Sequence, residues 1–133
     1  MSLKVLVLED CPIQRELLVE VMNLFGHELE LAATGEGALN KLQSDEFDLI
    51  MLDRQIPDMS GEKVAEKAKE QTPDTPVVLV TGDDPWTVAK KIRQNVDGFI
   101  AKPYALKDIK EILTELPNRN DGNSSHPPPS AHK

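Results

Sequence analysis

The sequence predicts one α/β domain built on a doubly wound parallel sheet, and three observations lead there. Short unbroken aliphatic runs recur at Val5-Leu6-Val7-Leu8, Leu49-Ile50-Met51-Leu52, Val77-Val78-Leu79-Val80 and Gly98-Phe99-Ile100-Ala101. Runs of this kind suit strands covered on both faces, the condition of a parallel sheet held between helices. The stretches between them carry apolar residues at helical spacing. Polar groups then cluster at the run ends: Glu9-Asp10 after the first, Asp53 after the second, Thr81 after the third and Lys102-Pro103 after the fourth. Open α/β sheets bind ligands beyond the carboxyl ends of their strands, so these groups are expected to converge on one site.

The elements follow in order. After the first strand, Pro12 fits a first helical turn, and Ile13, Leu17, Val21 and Leu24 recur at helical spacing until Gly26 stops them. Glu28-Leu29-Glu30-Leu31-Ala32 alternates like a strand with one exposed face. Thr34 is the expected cap of a short helix that turns Ala38, Leu39 and Leu42 inward. The Asp53 strand leads to a loop from Arg54 to Ser60 and then to a helix carrying Val64, Ala65 and Ala68. Pro73 and Pro76 punctuate the entry to the next strand, and Pro85 opens a helix with Val88, Ala89 and Ile92. The last strand, Gly98 to Ala101, precedes a helix with Leu106, Ile109, Ile112, Leu113 and Leu116. Five βα units imply a parallel sheet with helices on both faces.

Composition bounds the rest. A chain of 133 residues with 39% hydrophobic content builds a single core, and 4% aromatic residues make that core aliphatic. A net charge of -8 argues against a general nucleic-acid surface. The one cysteine, Cys11, forms no internal disulfide, the first residues lack a signal peptide's apolar stretch, and no run is long enough to span a bilayer. A cytoplasmic location without membrane contact is the expectation. Pro117 closes the ordered part, giving a domain over residues 1–117. Residues 118–133, rich in Asn, Ser and Pro, read as a flexible tail or linker stub.

The run-end residues have a chemical logic. Clustered carboxylates repel one another unless a cation neutralises them, so Glu9, Asp10 and Asp53 predict a hard metal ion, with Mg²⁺ the natural candidate and Mn²⁺ its substitute. Phosphoryl transfer needs an oxygen nucleophile, a metal and cationic or hydroxyl groups on the phosphoryl oxygens. Asp53, the metal, Lys102 and Thr81 match those needs. Taken singly, each residue has an ordinary explanation as a cap, a surface charge or a local backbone partner. Their joint placement at successive strand ends is what favours a site.

Glu9-Asp10, the segment Asp53-Arg54-Gln55-Ile56-Pro57-Asp58-Met59-Ser60-Gly61, Thr81-Gly82 and Phe99-Ile100-Ala101-Lys102-Pro103 together resemble the receiver domain of bacterial two-component response regulators, in the manner of a chemotaxis-regulator-like single receiver. The resemblance runs from about Leu3 to Leu116. It implies a flavodoxin-like fold with five helices and strand order 2-1-3-4-5. It also implies that Asp53 accepts a phosphoryl group from a histidine kinase or histidine phosphotransfer protein. Asp10, Asp53 and the backbone carbonyl of Gln55 would hold the metal, with Glu9 acting directly or through water. Lys102 would pair with the phosphoryl group, and Pro103 would shape the lysine's loop. Thr81 would act as the switch hydroxyl, vacating space into which Phe99 rotates. Gln55 and Asp83 occupy the positions that tune acyl-phosphate hydrolysis, and a polar Gln55 suggests slow to moderate self-dephosphorylation.

The chain departs from the commoner pattern at Ile56, where methionine often stands, and at Arg54, a positive charge beside the acceptor. Trp86, Phe99 and the last helix mark the expected face for an output partner or a phosphorylation-dependent dimer. The basic residues Lys90, Lys91 and Arg93 lack the aromatic company of a nucleic-acid platform, so direct nucleic-acid binding is not expected. A haloacid-dehalogenase-like phosphatase is the rival. It would need an acid two residues past the nucleophile, where this chain has Gln55. A pseudo-receiver interaction module is the third reading, against which stand the retained acceptor and lysine. The expectation is thus a signalling phosphoacceptor, not an enzyme of general turnover.

Overall fold

The computed structural model describes residues 2–54, 56, 58–82, 95–102 and 106–115. Five strands, β1 Lys4–Leu8, β2 Glu28–Ala32, β3 Leu49–Asp53, β4 Val77–Thr81 and β5 Gly98–Ala101, form one sheet in the order β2-β1-β3-β4-β5, all neighbours parallel. Four helices stand among the described residues: α1 Pro12–Phe25, α2 Gly35–Ser44, α3 Gly61–Gln71 and α4 Leu106–Glu115. The helix expected from Pro85, and Leu116, Pro117 and the tail, lie outside them.

The period of two along each strand builds two cores. Leu6, Leu8, Ile50, Leu52, Val77, Leu79 and Phe99 face one way, onto Ala38 and Leu42 of α2 and Val64, Ala65 and Ala68 of α3. Val5, Val7, Leu49, Met51, Val78, Val80 and Ile100 face the other, onto Leu18, Val21 and Met22 of α1 and Ile109, Ile112 and Leu113 of α4. Burial on both faces explains why β3 and β4 are apolar up to their last residues, Asp53 and Thr81, whereas the edge strand β2 alternates. Each such side chain contributes roughly 1.5–3 kcal/mol on leaving water.

The apolar residues that recur at helical spacing in α1 do not all turn inward. Val21 is buried, but Ile13, Leu17 and Leu24 are 76%, 44% and 70% exposed, and Leu18 and Met22 take the inward places. The chain offers two apolar rows about one position apart on the same helix. The row Leu18-Val21-Met22-Phe25, spaced i, i+3, i+4, i+7, forms the tighter stripe and meets the sheet. The helix ends where Gly26, at φ 79°, adopts the left-handed conformation, so that the amides of Gly26 and His27 bond back to Asn23 and Met22.

At the amino ends of the strands, two aspartates make the same closed ring. Asp48, just before β3, donates its N–H to the Lys4 carbonyl and accepts the Lys4 N–H on its carboxylate, at 2.8 Å each. Asp97, just before β5, does the same with Val77 at 2.7 and 2.8 Å, and also pairs with Lys69 of α3 at 2.8 Å. His27 accepts the Leu3 N–H on Nδ1 at 3.0 Å. The strands are thereby tied at the end opposite the polar cluster.

Candidate functional site

The chain leaves β1 for β2 on one side and returns to β3 on the other, so a crevice opens between the carboxyl ends of β1 and β3. Glu9 and Asp10 follow β1, and Asp53 ends β3. The backbone carries the parallel ladder past both strands: the Glu9 amide donates to the Ala32 carbonyl at 3.0 Å and the Arg54 amide to the Val80 carbonyl at 2.9 Å. Carboxylate oxygens of Glu9, Asp10 and Asp53 lie within 4.8 Å of one another. Glu9 and Asp53 are buried, at 3% and 5% exposure, whereas Asp10 faces solvent. From β5, Lys102 reaches across to place Nζ 2.9 Å from Asp53 Oδ2.

The electrostatics follow from this crowding. Burial raises the Glu9 carboxyl above its ordinary value; the Cys11 amide, 3.2 Å from Oε2, pulls it back, and the adjacent Asp53 adds to the rise. Burial works against the Lys102 charge, yet the hydrogen bond and charge of Asp53, with Glu9 and Asp10 beyond, outweigh it and hold the ammonium above its ordinary value. Among the described residues, one ammonium, that of Lys102, faces the three carboxylates, which leaves the cluster short of positive charge. An all-oxygen donor set with this deficit, partly sheltered and open to solvent through Asp10, fits a hard divalent cation.

The sequence expected Glu9, Asp10, Asp53 and Lys102 together, and the fold assembles them. Thr81, 2% exposed, ends β4 beside β5, and its carbonyl accepts the Lys102 amide at 2.8 Å, tying the two loop starts together. Phe99 is fully enclosed, packed in the core it shares with Leu79, so in this structure it adds nothing to an exposed partner face. The guanidinium of Arg54 is engaged by Glu62, which draws its charge toward α3. Gln55, Asp83, Trp86 and Pro103 lie outside the described residues.

Two positions quoted only as parts of a motif prove to be structural determinants. Gly61 lies so close to the end of β3 that a Cβ there would stand 2.5 Å from the Asp53 carbonyl oxygen and 2.7 Å from Arg54 Cα. Asp58 accepts the amides of Gly35 and Glu36 at 2.8 and 3.1 Å, joining the loop after β3 to the start of α2. No local pattern announces a carboxylate meeting amides more than twenty positions away; only the glycine, placed before a helical run, carried a hint.

Comparison with known proteins matches this arrangement. A family model described as the response regulator receiver domain matches residues 5–114. The autoinducer 1 sensor kinase/phosphatase LuxN of Vibrio harveyi is 31% identical over 121 residues, covering 91% of this chain and 14% of that protein. The response regulator MprA of Mycobacterium tuberculosis is 30% identical over 122 residues, covering 90% of this chain and 52% of that protein. The chain therefore spans from about a seventh to about half of these relatives. Among solved structures, the response regulator TrrA of Thermotoga maritima, in complex with Mg²⁺-BeF, superposes with a TM-score of 0.77 at 31% identity, covering 85% of this chain and 96% of that one. A CheY-like receiver domain protein of Methanospirillum hungatei gives 0.81 at 25% identity, covering 91% and 98%.

Proposed function

The chain belongs to the response regulator receiver domain family of two-component signalling, and from that membership we propose that Asp53 is its phosphoacceptor, taking a phosphoryl group from a phosphohistidine on a histidine kinase or phosphotransfer protein. One observation carries the assignment: the carboxylate that ends the central strand β3 is buried, lies beside Glu9 and Asp10 and receives a 2.9 Å hydrogen bond from Lys102.

In the proposed reaction an Asp53 carboxylate oxygen attacks phosphorus in line, the P–N bond breaks, and its electron pair leaves on the partner's imidazole, which takes up a proton. The product is an acyl phosphate. Glu9, Asp10 and Asp53, with the Gln55 carbonyl, would hold Mg²⁺ or Mn²⁺. A divalent ion there would neutralise charge on the phosphoryl oxygens. Lys102 turns its ammonium from the free carboxylate to the phosphoryl group without leaving its place. The Thr81 hydroxyl, at the next strand end, takes a phosphoryl oxygen, and the enclosed Phe99 repacks in response. Gln55 and Asp83 set the pace of hydrolysis, with slow to moderate loss expected from a polar Gln55. The receiver is assigned to residues 1–117 under the same proposal, and the tail read from the sequence at 118–133 lies outside the described residues. The setting is cytoplasmic; no helix among the described residues is long and apolar enough to cross a membrane.

Incubation with acetyl phosphate and Mg²⁺ tests the reading by intact-mass measurement. Addition of one phosphoryl group per chain, lost in Asp53→Asn, is expected. Sustained release of phosphate over many turnovers would indicate a phosphatase, and absence of any adduct an inert interaction module; either result overturns the proposal.

A further inference from the structure

The loop between β3 and α3 follows directly on Asp53, and its two ends are held by different means. At the base, the Gly61 amide donates to the Arg54 carbonyl at 2.9 Å, so the chain returns immediately beneath the acceptor. At the tip, Asp58 Oδ1 accepts the Gly35 amide at 2.8 Å and Oδ2 accepts the Glu36 amide at 3.1 Å. These are amides of the first turn of α2, which have no partners within their own helix. The adjacent Gly37 amide is taken by the Thr34 side chain at 3.0 Å. Thr34 thus caps one amide from within, and the acceptor loop caps two from outside.

The chemistry favours this contact strongly. Hydrogen bonds from backbone amides to an ionised carboxylate are shorter and stronger than neutral ones, and the helix's positive end adds to them. Both amide contacts hold the Asp58 carboxyl below its ordinary value, so it stays ionised across the neutral range. Packing secures the same place: a Cβ on Gly35 would stand 2.5 Å from Met59 Cγ, so the residue after Asp58 rests directly on the helix start. α2 is itself fixed to the sheet through Ala38 and Leu42. The loop tip therefore takes its position from a rigid element.

We propose that Asp58 is a positioning residue for the phosphoacceptor site, holding the loop after Asp53 against the start of α2 so that the carboxylate cluster keeps the spacing a divalent cation requires. This rests on the phosphoacceptor reading of Asp53. The Asp58 carboxylate is engaged by the amides of α2 and not by the cluster of Glu9, Asp10 and Asp53 among the described contacts. It acts through the loop, as outer partners of metal ligands do when they set ligand orientation, an influence whose loss typically lowers metal affinity about tenfold or more.

The test is calorimetric titration of the full chain with Mg²⁺ alone, with thermal melting and acetyl-phosphate labelling alongside. Asp58→Ala is expected to weaken Mg²⁺ binding about tenfold and to slow labelling at limiting Mg²⁺. Asp58→Asn, whose amide oxygen still accepts one N–H, should recover much of the loss and serves alone if the alanine variant does not fold. Thr34→Ala removes the other cap of the same helix without touching the loop. It should lower the melting temperature and leave Mg²⁺ affinity unchanged. The proposal is overturned if Asp58→Ala and Asp58→Asn both bind Mg²⁺ as the wild type does. It is equally overturned if Thr34→Ala weakens binding as much as Asp58→Ala, since loss of helix stability would then account for everything. A wild-type chain that takes neither Mg²⁺ nor label refutes the phosphoacceptor reading, and the inference with it.

Discussion

Replacing Gly61 by alanine places a methyl group against the backbone of Asp53, the proposed phosphoacceptor. The new Cβ would lie 2.5 Å from the Asp53 carbonyl oxygen and 2.7 Å from Arg54 Cα, against an ordinary contact of 3.4 Å or more. About 0.9 Å must therefore be found between α3 and the end of β3, and neither neighbour is a side chain that can swing away. β3 lies at the centre of the sheet with both faces packed, and α3 is seated through Val64, Ala65 and Ala68, so the strain is shared between buried elements. Overpacking of this kind costs typically ~2 kcal/mol. In a domain of this size that corresponds to a fall of about 8 °C in melting temperature. Because the displaced atom belongs to Asp53, Mg²⁺ affinity and labelling by acetyl phosphate should fall together. Gly82→Ala is the matched control: among the described residues nothing lies within 4 Å of its Cβ position, and its melting should be unchanged. Differential scanning calorimetry with and without Mg²⁺ makes the measurement. A Gly61→Ala protein that melts and labels like the wild type would refute the close approach as a constraint on the site.

Four further outcomes are expected. Lys102→Ala should slow labelling about 10²-fold, the usual effect of losing a donor aimed at developing charge, while Mg²⁺ binds more tightly because a competing cation is gone; titration and initial labelling rates measure both. Mg²⁺ at a hundredfold excess over its dissociation constant should stabilise the fold by about 2.7 kcal/mol. In Glu9→Gln the metal-free protein should melt higher at neutral pH, since burial raises the Glu9 carboxyl and ionising it there costs stability above the carboxylate range; the gain from Mg²⁺ should shrink. His27 provides the pH dependence: burial, and then the positive amino terminus, hold its imidazole below 6.5 in the native state. A group with a depressed native value contributes stability that is present above pH 6.5 and lost as pH falls below it. Protonation also takes the Nδ1 lone pair from the Leu3 amide. Melting profiles from about pH 7.5 to 5.5 should fall in the wild type and flatten in His27→Gln; parallel profiles would discount the contact.

What was legible in the sequence was mostly local. Continuous aliphatic runs reveal a strand buried on both sides, and β5 begins and ends at Gly98 and Ala101 as the pattern indicated. Thr34 reads as a cap because its hydroxyl meets an amide three residues on, a distance local sequence can encode. The four charged members of the site were legible for a related reason: strand ends in a parallel sheet lie level, so position along the chain translates into position in space. The inward face of α1 was harder, since Ile13, Leu17 and Leu24 and the row Leu18, Val21 and Met22 have nearly the same periodicity. Only the sheet's position decides between them. Asp58 on α2 and the engagement of Arg54 by Glu62 depend on how a loop folds back, which no spacing rule contains.

The rings that Asp48 closes with Lys4, and Asp97 with Val77, stand at the amino ends of the same strands whose carboxyl ends carry the acidic cluster. Anchorage and chemistry are therefore separated by the full length of a strand. Substitutions at Asp48, Asp97 or Lys69 should shift melting while leaving phosphoryl uptake intact, and substitutions at Asp10 or Lys102 should do the reverse. A chain arranged in this way can drift in thermal tolerance from one host temperature to another without renegotiating its reaction. Its signalling can likewise be retuned without loosening the scaffold.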